Sequence, residues 1–137
     1  ASALVFRGAY TGLDELTAAD LNQVWIVADG NVTPTEFDAR SALGMAACTI
    51  DDLAGGEAQD NAAVARDVLA GAGPQPVRDA VALNAAAGIL AWEGLDAPVT
   101  PRDFVDRMRD AVERARSGLR GGAGDALIER WKKASAK

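Results

Sequence analysis

The stretch SALVFRGAYTGLDEL, residues 2–16, joins an apolar run to a glycine-punctuated loop and then to two adjacent carboxylates. Ala3-Leu4-Val5-Phe6 has the apolar, partly β-branched character of a short buried strand, and Gly8 and Gly12 mark the loop leaving its carboxyl end. In open α/β sheets, ligands bind at loops of this kind. Asp14 and Glu15 are therefore placed to hold a hard divalent cation and, through it, a phosphate. Mg²⁺ suits such a pair, because it takes one or two protein carboxylates, keeps several waters and completes its shell with phosphate oxygens. By residue type alone the pair reads more readily as solvated, since acidic side chains are mostly exposed.

Working outward, the polar connection 17–22 leads to Gln23-Val24-Trp25-Ile26-Val27, a second strand rich in β-branched and aromatic residues. Ala28-Asp29-Gly30-Asn31 then supplies an Asp-Gly hairpin turn, so residues 32–37 should return antiparallel to the second strand. That turn accounts for Asp29 and Asn31 without any chemistry. From Asp38 onward the character becomes helical. Thr49-Ile50-Asp51-Asp52 sets a hydroxyl three residues before a carboxylate and leads into a single turn ending at Gly55-Gly56. Residues 57–69 carry a stripe of Ala58, Ala62, Val64, Ala65, Val68 and Leu69, closed by Gly71 and Gly73.

Pro74 and Pro76 open the next helix. Residues 77–93 are apolar almost all round, with Val81, Leu83, Ala85, Ile89, Leu90 and Trp92, and are expected to be buried on most sides. Asn84 is the polar exception there, and a packing role satisfied by backbone groups outweighs a ligand role for it, as for Asn61. Thr100-Pro101-Arg102-Asp103 is a strong helix start. Phe104, Met108, Val112 and Ala115 then form the packed side of a surface helix, while Asp103, Asp106, Arg107, Asp110, Glu113 and Arg114 form a solvated face with i,i+4 pairs. Gly118, Gly121, Gly122 and Gly124 should break the chain before a last helix over 125–134, docked by Leu127, Ile128 and Trp131. Lys132, Lys133 and Lys137 complement its negative end.

Composition bounds the function. The 137 residues suffice for one domain with a working core, and 49% apolar against 25% charged is ordinary for a globular protein. Fourteen basic against twenty acidic side chains, a formal charge of -6, argue against broad binding to nucleic acid or an anionic membrane. A phosphate-bearing ligand would need local help from a metal. The absence of His excludes His triads and most zinc sites within the chain. Cys48 cannot form an internal disulfide, which suits a reducing compartment, and it reads as a small buried hydrophobe with no imidazole to activate it. No apolar run approaches the ~20 residues of a membrane span, and the start does not resemble a signal peptide. No P-loop or dinucleotide fingerprint occurs. Three strands followed by four or five helices make an α/β arrangement whose sheet looks incomplete, and a start without Met, close to the first strand, suggests a fragment.

These residues carry a family resemblance. Residues 3–92 resemble the carboxy-terminal half of the anthranilate phosphoribosyltransferase family. The resemblance rests on Gly12-Leu13-Asp14-Glu15-Leu16, Asp52-Leu53-Ala54-Gly55-Gly56 with Asn61, Val68-Leu69-Ala70-Gly71, Arg78-Asp79-Ala80-Val81 and Leu83-Asn84-Ala85-Ala86-Ala87. Each piece is weak alone; their order and spacing are specific together.

The resemblance implies the C-terminal part of a phosphoribosyltransferase or nucleoside phosphorylase-like α/β domain over residues 1–137, with strands within 3–37 and helices within 51–134. It implies a cytoplasmic enzyme of tryptophan biosynthesis, a homodimer in its complete form, that joins anthranilate to phosphoribosyl pyrophosphate. It also implies that Asp14 and Glu15 bind Mg²⁺, matching the family's aspartate–glutamate pair residue for residue. The family's glycine-rich pyrophosphate loop, anthranilate-binding arginine, lysine- and serine-bearing phosphate contacts and helical N-terminal domain lie upstream of the matched region. This chain alone should therefore be inactive and should belong with that N-terminal portion. Two other readings stay open: a non-catalytic interaction module that kept the packing, and a fragment of a related phosphoribosyltransferase or nucleoside phosphorylase with another acceptor.

Overall fold

In a computed structural model of the chain, residues 2–94 and 100–136 are described. Three strands, β1 (Ser2–Gly8), β2 (Asn22–Ala28) and β3 (Asn31–Phe37), form an antiparallel meander in the order β1-β2-β3. The β2–β3 hairpin closes at Asp29 and Gly30, both at positive φ (47° and 77°), the geometry that Asp-Gly supplies at least cost. Helices α1 (Ala39–Leu43), α2 (Ala58–Leu69), α3 (Gln75–Glu93), α4 (Pro101–Arg120) and α5 (Ala123–Ser135) follow, with a 3₁₀ turn at Asp51–Leu53. None of the described helices is long and apolar enough to cross a membrane.

The core lies between one face of the sheet and the α3–α4 pair. Val24 and Ile26 from β2, Phe37 from β3, Leu83 from α3 and Phe104, Met108 and Val112 from α4 are essentially inaccessible. Phe37 and Phe104 meet edge to face, with ring centroids 5.5 Å apart and planes at 80°. Helix α4 begins as its sequence predicts. The Thr100 hydroxyl accepts from the Asp103 N–H at 3.1 Å, and the Asp103 carboxylate accepts in return from the Thr100 N–H and hydroxyl. Thr49 and Asp52 make the same reciprocal contacts at the 3₁₀ turn.

Several expectations are corrected. Periodicity does not place helix α1, because five residues show no stripe; the Asp38 cap on the Arg40 N–H and the left-handed Gly44 define it instead. Gly118 does not break the chain but lies within α4, and Gly124 within α5, so the break falls at Gly121–Gly122, with Gly122 at φ 69°. A side chain at Gly124 would meet Leu69 of α2 at 2.9 Å, so glycine is required there by close helix packing. Helix α3 is not buried on most sides, since Val81 and Ala85 face outward and Trp92 is 90% exposed. The α2 stripe buries only Val68 fully, and Trp131 is 64% exposed, leaving the half-buried Leu127 and Ile128 to dock α5. β1 is covered on one side alone, with Ala3 and Val5 open.

The charged face of α4 is also less free than its pattern suggests. Arg116 reaches the largely buried Asp79 of α3 at 2.9 Å, and Arg114 pairs with Glu93, so ion pairs tie α4 to α3 across the bundle. The pairs along the helix itself, Arg109–Asp106 and Arg116–Glu113, have i,i+3 spacing rather than i,i+4. Lys132 and Lys133 do sit in the last turn of α5, whereas Lys137 lies outside the described residues. Truncating Phe104→Ala should cost about 3–5 kcal/mol by urea denaturation, while Trp92→Ala should change stability by no more than about 0.5 kcal/mol, since only the first empties a packed site.

Candidate functional site

The loop between β1 and β2 is held at both ends, and the two carboxylates project between its anchors. At its start, Gly8 donates to the Leu13 carbonyl at 2.7 Å and Gly12 to the Gly8 carbonyl at 3.1 Å, folding 8–13 into a tight turn. Asp20 clamps this turn: its Oδ2 accepts from the Tyr10 N–H at 3.0 Å, the Thr11 N–H at 2.8 Å and the Thr11 hydroxyl at 2.7 Å. Gly8 is required here by space, because a Cβ would approach the same Asp20 oxygen at 2.8 Å and press still harder on the Thr11 hydroxyl.

The second anchor is Asn84 of α3. Its Oδ1 accepts from the Leu16 N–H at 3.1 Å, while Nδ2 donates to the Leu16 carbonyl and the Ala80 carbonyl, each at 2.9 Å. Leu16 itself is fully buried, so its backbone groups would otherwise go unpaired. One residue further, Asn22 accepts from the Thr17 N–H and donates to the carbonyls of Thr17, Asp20 and Phe37. The structural readings of Asn84 and Asn61 are met: Asn61 closes on both backbone groups of Gly56, accepting from its N–H at 2.8 Å and donating to its carbonyl at 2.9 Å.

Asp14 and Glu15 are exposed and line a cleft of about 660 Å³, shared with Thr17 of the loop and Val77, Val81 and Asn84 of α3. The outward side of α3 is one wall of this cleft. Among the described residues no group of three or more His, Cys, Asp or Glu gathers around a common point. Two exposed carboxylates on an open cleft are of the oxygen-donor type that Mg²⁺ takes from protein, and they are fewer than a metal-enclosing set. Cys48 is only half-buried, packs against the core, and has its thiol pushed up by burial and by the nearby Asp52 and Asp79, so it is a poor nucleophile.

The clamps at Asp20 and Asn22 were not singled out from the sequence. The signal was the polar cluster Thr17, Asp20, Asn22 directly ahead of a strand, three side chains that are all nearly inaccessible.

Comparison with known proteins gives the family and the fold. Residues 1–125 match the family model described as glycosyl transferase family, a/b domain, and the chain belongs to that family. It is 48% identical over 128 residues to the anthranilate phosphoribosyltransferase of Arthrobacter sp. strain FB24, covering 93% of this chain and 34% of the relative. It is 49% identical over 130 residues to that of Rhodococcus opacus strain B4, covering 95% and 34%. The crystal structure of the Thermus thermophilus anthranilate phosphoribosyltransferase superposes with a TM-score of 0.73 at 32% identity, over 96% of this chain and 35% of that one. The Saccharomyces cerevisiae enzyme in complex with PRPP and Mg shares the fold, with a TM-score of 0.71 at 17% identity over 92% and 33%. The chain thus spans about a third of the length of the relatives it matches.

Two outcomes follow from the anchors. Asn84→Ala should cost about 1–3 kcal/mol in denaturant unfolding, because it strips both Leu16 backbone groups of their partner. Burial pushes the Asp20 carboxyl up, but the bonds from Thr11, Tyr10 and Leu21 outweigh it and hold the group below its ordinary value. The unfolded chain therefore takes up this proton first as pH falls, near pH ~4. The stabilisation is complete above that point and is lost as pH drops through the lower folded value. Asp20→Asn should flatten that acid limb in a series of unfolding curves.

Proposed function

We propose that residues 1–137 are a single unit forming the C-terminal portion of an anthranilate phosphoribosyltransferase, and that Asp14 and Glu15 hold the Mg²⁺ accompanying phosphoribosyl pyrophosphate. The observation that carries this reading is the placement of both carboxylates at the mouth of one cleft, on a loop pinned on either side by Asp20 and Asn84. Identity of 42–49% to enzymes of that name supports it, as does the PRPP and Mg complex of the structurally similar yeast enzyme.

The reaction is displacement at the ribose anomeric carbon: the anthranilate amine forms the new C–N bond as the C–O bond to pyrophosphate breaks, and the amine loses a proton. When bound, Mg²⁺ supplies charge neutralisation for the departing pyrophosphate. The contribution of this chain is positional. The Asp20 and Asn84 bonds fix the backbone on both sides of Asp14 and Glu15, so the carboxylates need little reorganisation to meet the cation. A net charge of -6 makes that local arrangement necessary, because the chain as a whole repels a diphosphate. The contacts to ribose, to the remaining phosphate oxygens and to anthranilate come from polypeptide outside this chain, in a cytoplasmic enzyme that is dimeric when complete.

In the complete enzyme, Asp14→Asn and Glu15→Gln should each lower kcat/KM by about a hundredfold and raise the Mg²⁺ concentration needed for half-maximal rate. An unchanged Mg²⁺ requirement in both variants would remove the assignment. The purified 137-residue chain alone should release no pyrophosphate in the presence of anthranilate, and release above background would overturn that part of the reading.

A further inference from the structure

A second cavity, of about 370 Å³, opens where the first turns of α3 meet the last turns of α4, and it shares no lining residue with the cleft of Asp14 and Glu15. Three arginines line it, Arg78 of α3 with Arg116 and Arg120 of α4, against two carboxylates, Asp79 and Glu113. The local excess of positive charge runs against a chain whose formal charge is -6.

The pairing inside the cluster decides what the cavity can accept. Arg116 takes both carboxylates: one terminal nitrogen donates to Asp79 and the other to Glu113, each at 2.9 Å. Arg78 is half-buried, and among the described residues its guanidinium makes a single hydrogen bond, donating to the Gly71 carbonyl at 3.1 Å. Arg120 lies in the last turn of α4, where its charge complements the negative end of the helix, but its guanidinium has neither hydrogen bond nor ion pair among the described residues. Most N–H donors of these two arginines are therefore left without an acceptor from the described chain.

Gly71 brings the two together. It stands at φ 79°, accepts from Arg78, and lies so close to α4 that a Cβ would come within 3.3 Å of the Arg120 Cα and of the Leu119 carbonyl. A side chain there would push the end of α4 away from the α2–α3 turn and part Arg120 from Arg78. A planar carboxylate is satisfied by one guanidinium fork. Two forks rooted on different helices suit an oxyanion with three acceptor oxygens and close to two negative charges.

We propose that this cavity binds a phosphate group through Arg78 and Arg120, while Arg116 neutralises the two carboxylates that would otherwise repel it. The site is separate from the metal loop and stands whether or not Asp14 and Glu15 hold Mg²⁺.

The test uses the complete enzyme, phenylglyoxal as the arginine reagent and peptide mapping by mass spectrometry to follow each residue, with the exposed Arg130 of α5 as control. Inorganic phosphate at roughly ten times its half-effect concentration should slow labelling of Arg78 and Arg120 about tenfold and leave Arg130 unchanged. Slowing no greater than in sodium chloride of equal ionic strength, or equal at Arg130, would overturn the proposal. Equal slowing by acetate would overturn the assignment to phosphate. Ribose 5-phosphate is run alongside: protection at lower concentration assigns a phosphorylated metabolite, protection at the same concentration assigns the free ion, and either upholds the site. Arg120→Ala, which breaks no contact among the described residues, should abolish phosphate protection of Arg78 while anthranilate-dependent turnover stays unchanged. Full protection of Arg78 in that variant would refute the site and leave the proposed function standing.

Discussion

The paired hydrogen bonds between the Asn84 amide and the backbone of Leu16 are the constraint on which the candidate site depends. A helix side chain here does what a neighbouring strand would do, satisfying an N–H and a carbonyl at a fully buried residue that belongs to no strand or helix. Because the amide also donates to Ala80 one turn back, its own orientation is fixed by α3. The carboxylates of Asp14 and Glu15 consequently take their position from the core of the protein, although both are solvent-exposed. Asp20 performs the matching task at the start of the loop, with a carboxylate in place of an amide because three donors converge on one oxygen.

This arrangement separates two demands that pull against each other. A carboxylate that is to meet a cation must stay accessible, yet an accessible loop is ordinarily mobile. Placing the anchors at neighbouring residues leaves the two acids free while the backbone beneath them is tied down. The outward wall of α3, built from Val77, Val81 and Ala85, supplies the other side of the cleft without adding competing ligands.

The distribution of burial tells a related story about the molecule as a whole. Helices α3 and α4 cover one face of the sheet with a close-packed core, but α2, α5, the outer side of α3 and the opposite sheet face keep apolar residues in contact with water. These open positions include Val5 and Val32 on the sheet, Val81 and Trp92 on α3 and Trp131 on α5. Scattered apolar side chains on a surface are ordinary in folded proteins, so by themselves they assign no partner.

Local pattern by itself determined a good deal: the three strands, the Asp-Gly hairpin, the reciprocal caps at Thr49–Asp52 and Thr100–Asp103, and the existence of the longer helices, because each depends on residues within a few positions of one another. It drew attention to Asp14 and Glu15 through their place after a strand and a glycine turn, but residue type alone favoured a solvated pair, and their Mg²⁺ role came from the family resemblance. Tertiary structure alone decided which apolar stripes find a partner, which is why Trp92 and Trp131 lie open where periodicity expected packing. It alone decided that Arg116 of α4 would pair with Asp79 of α3 and that the α4–α5 break would fall at Gly121–Gly122 rather than at Gly118. The physical reason is that periodicity states which side chains share a face, whereas burial depends on what stands opposite, across contacts such as Leu16 to Asn84 that span 68 positions of chain.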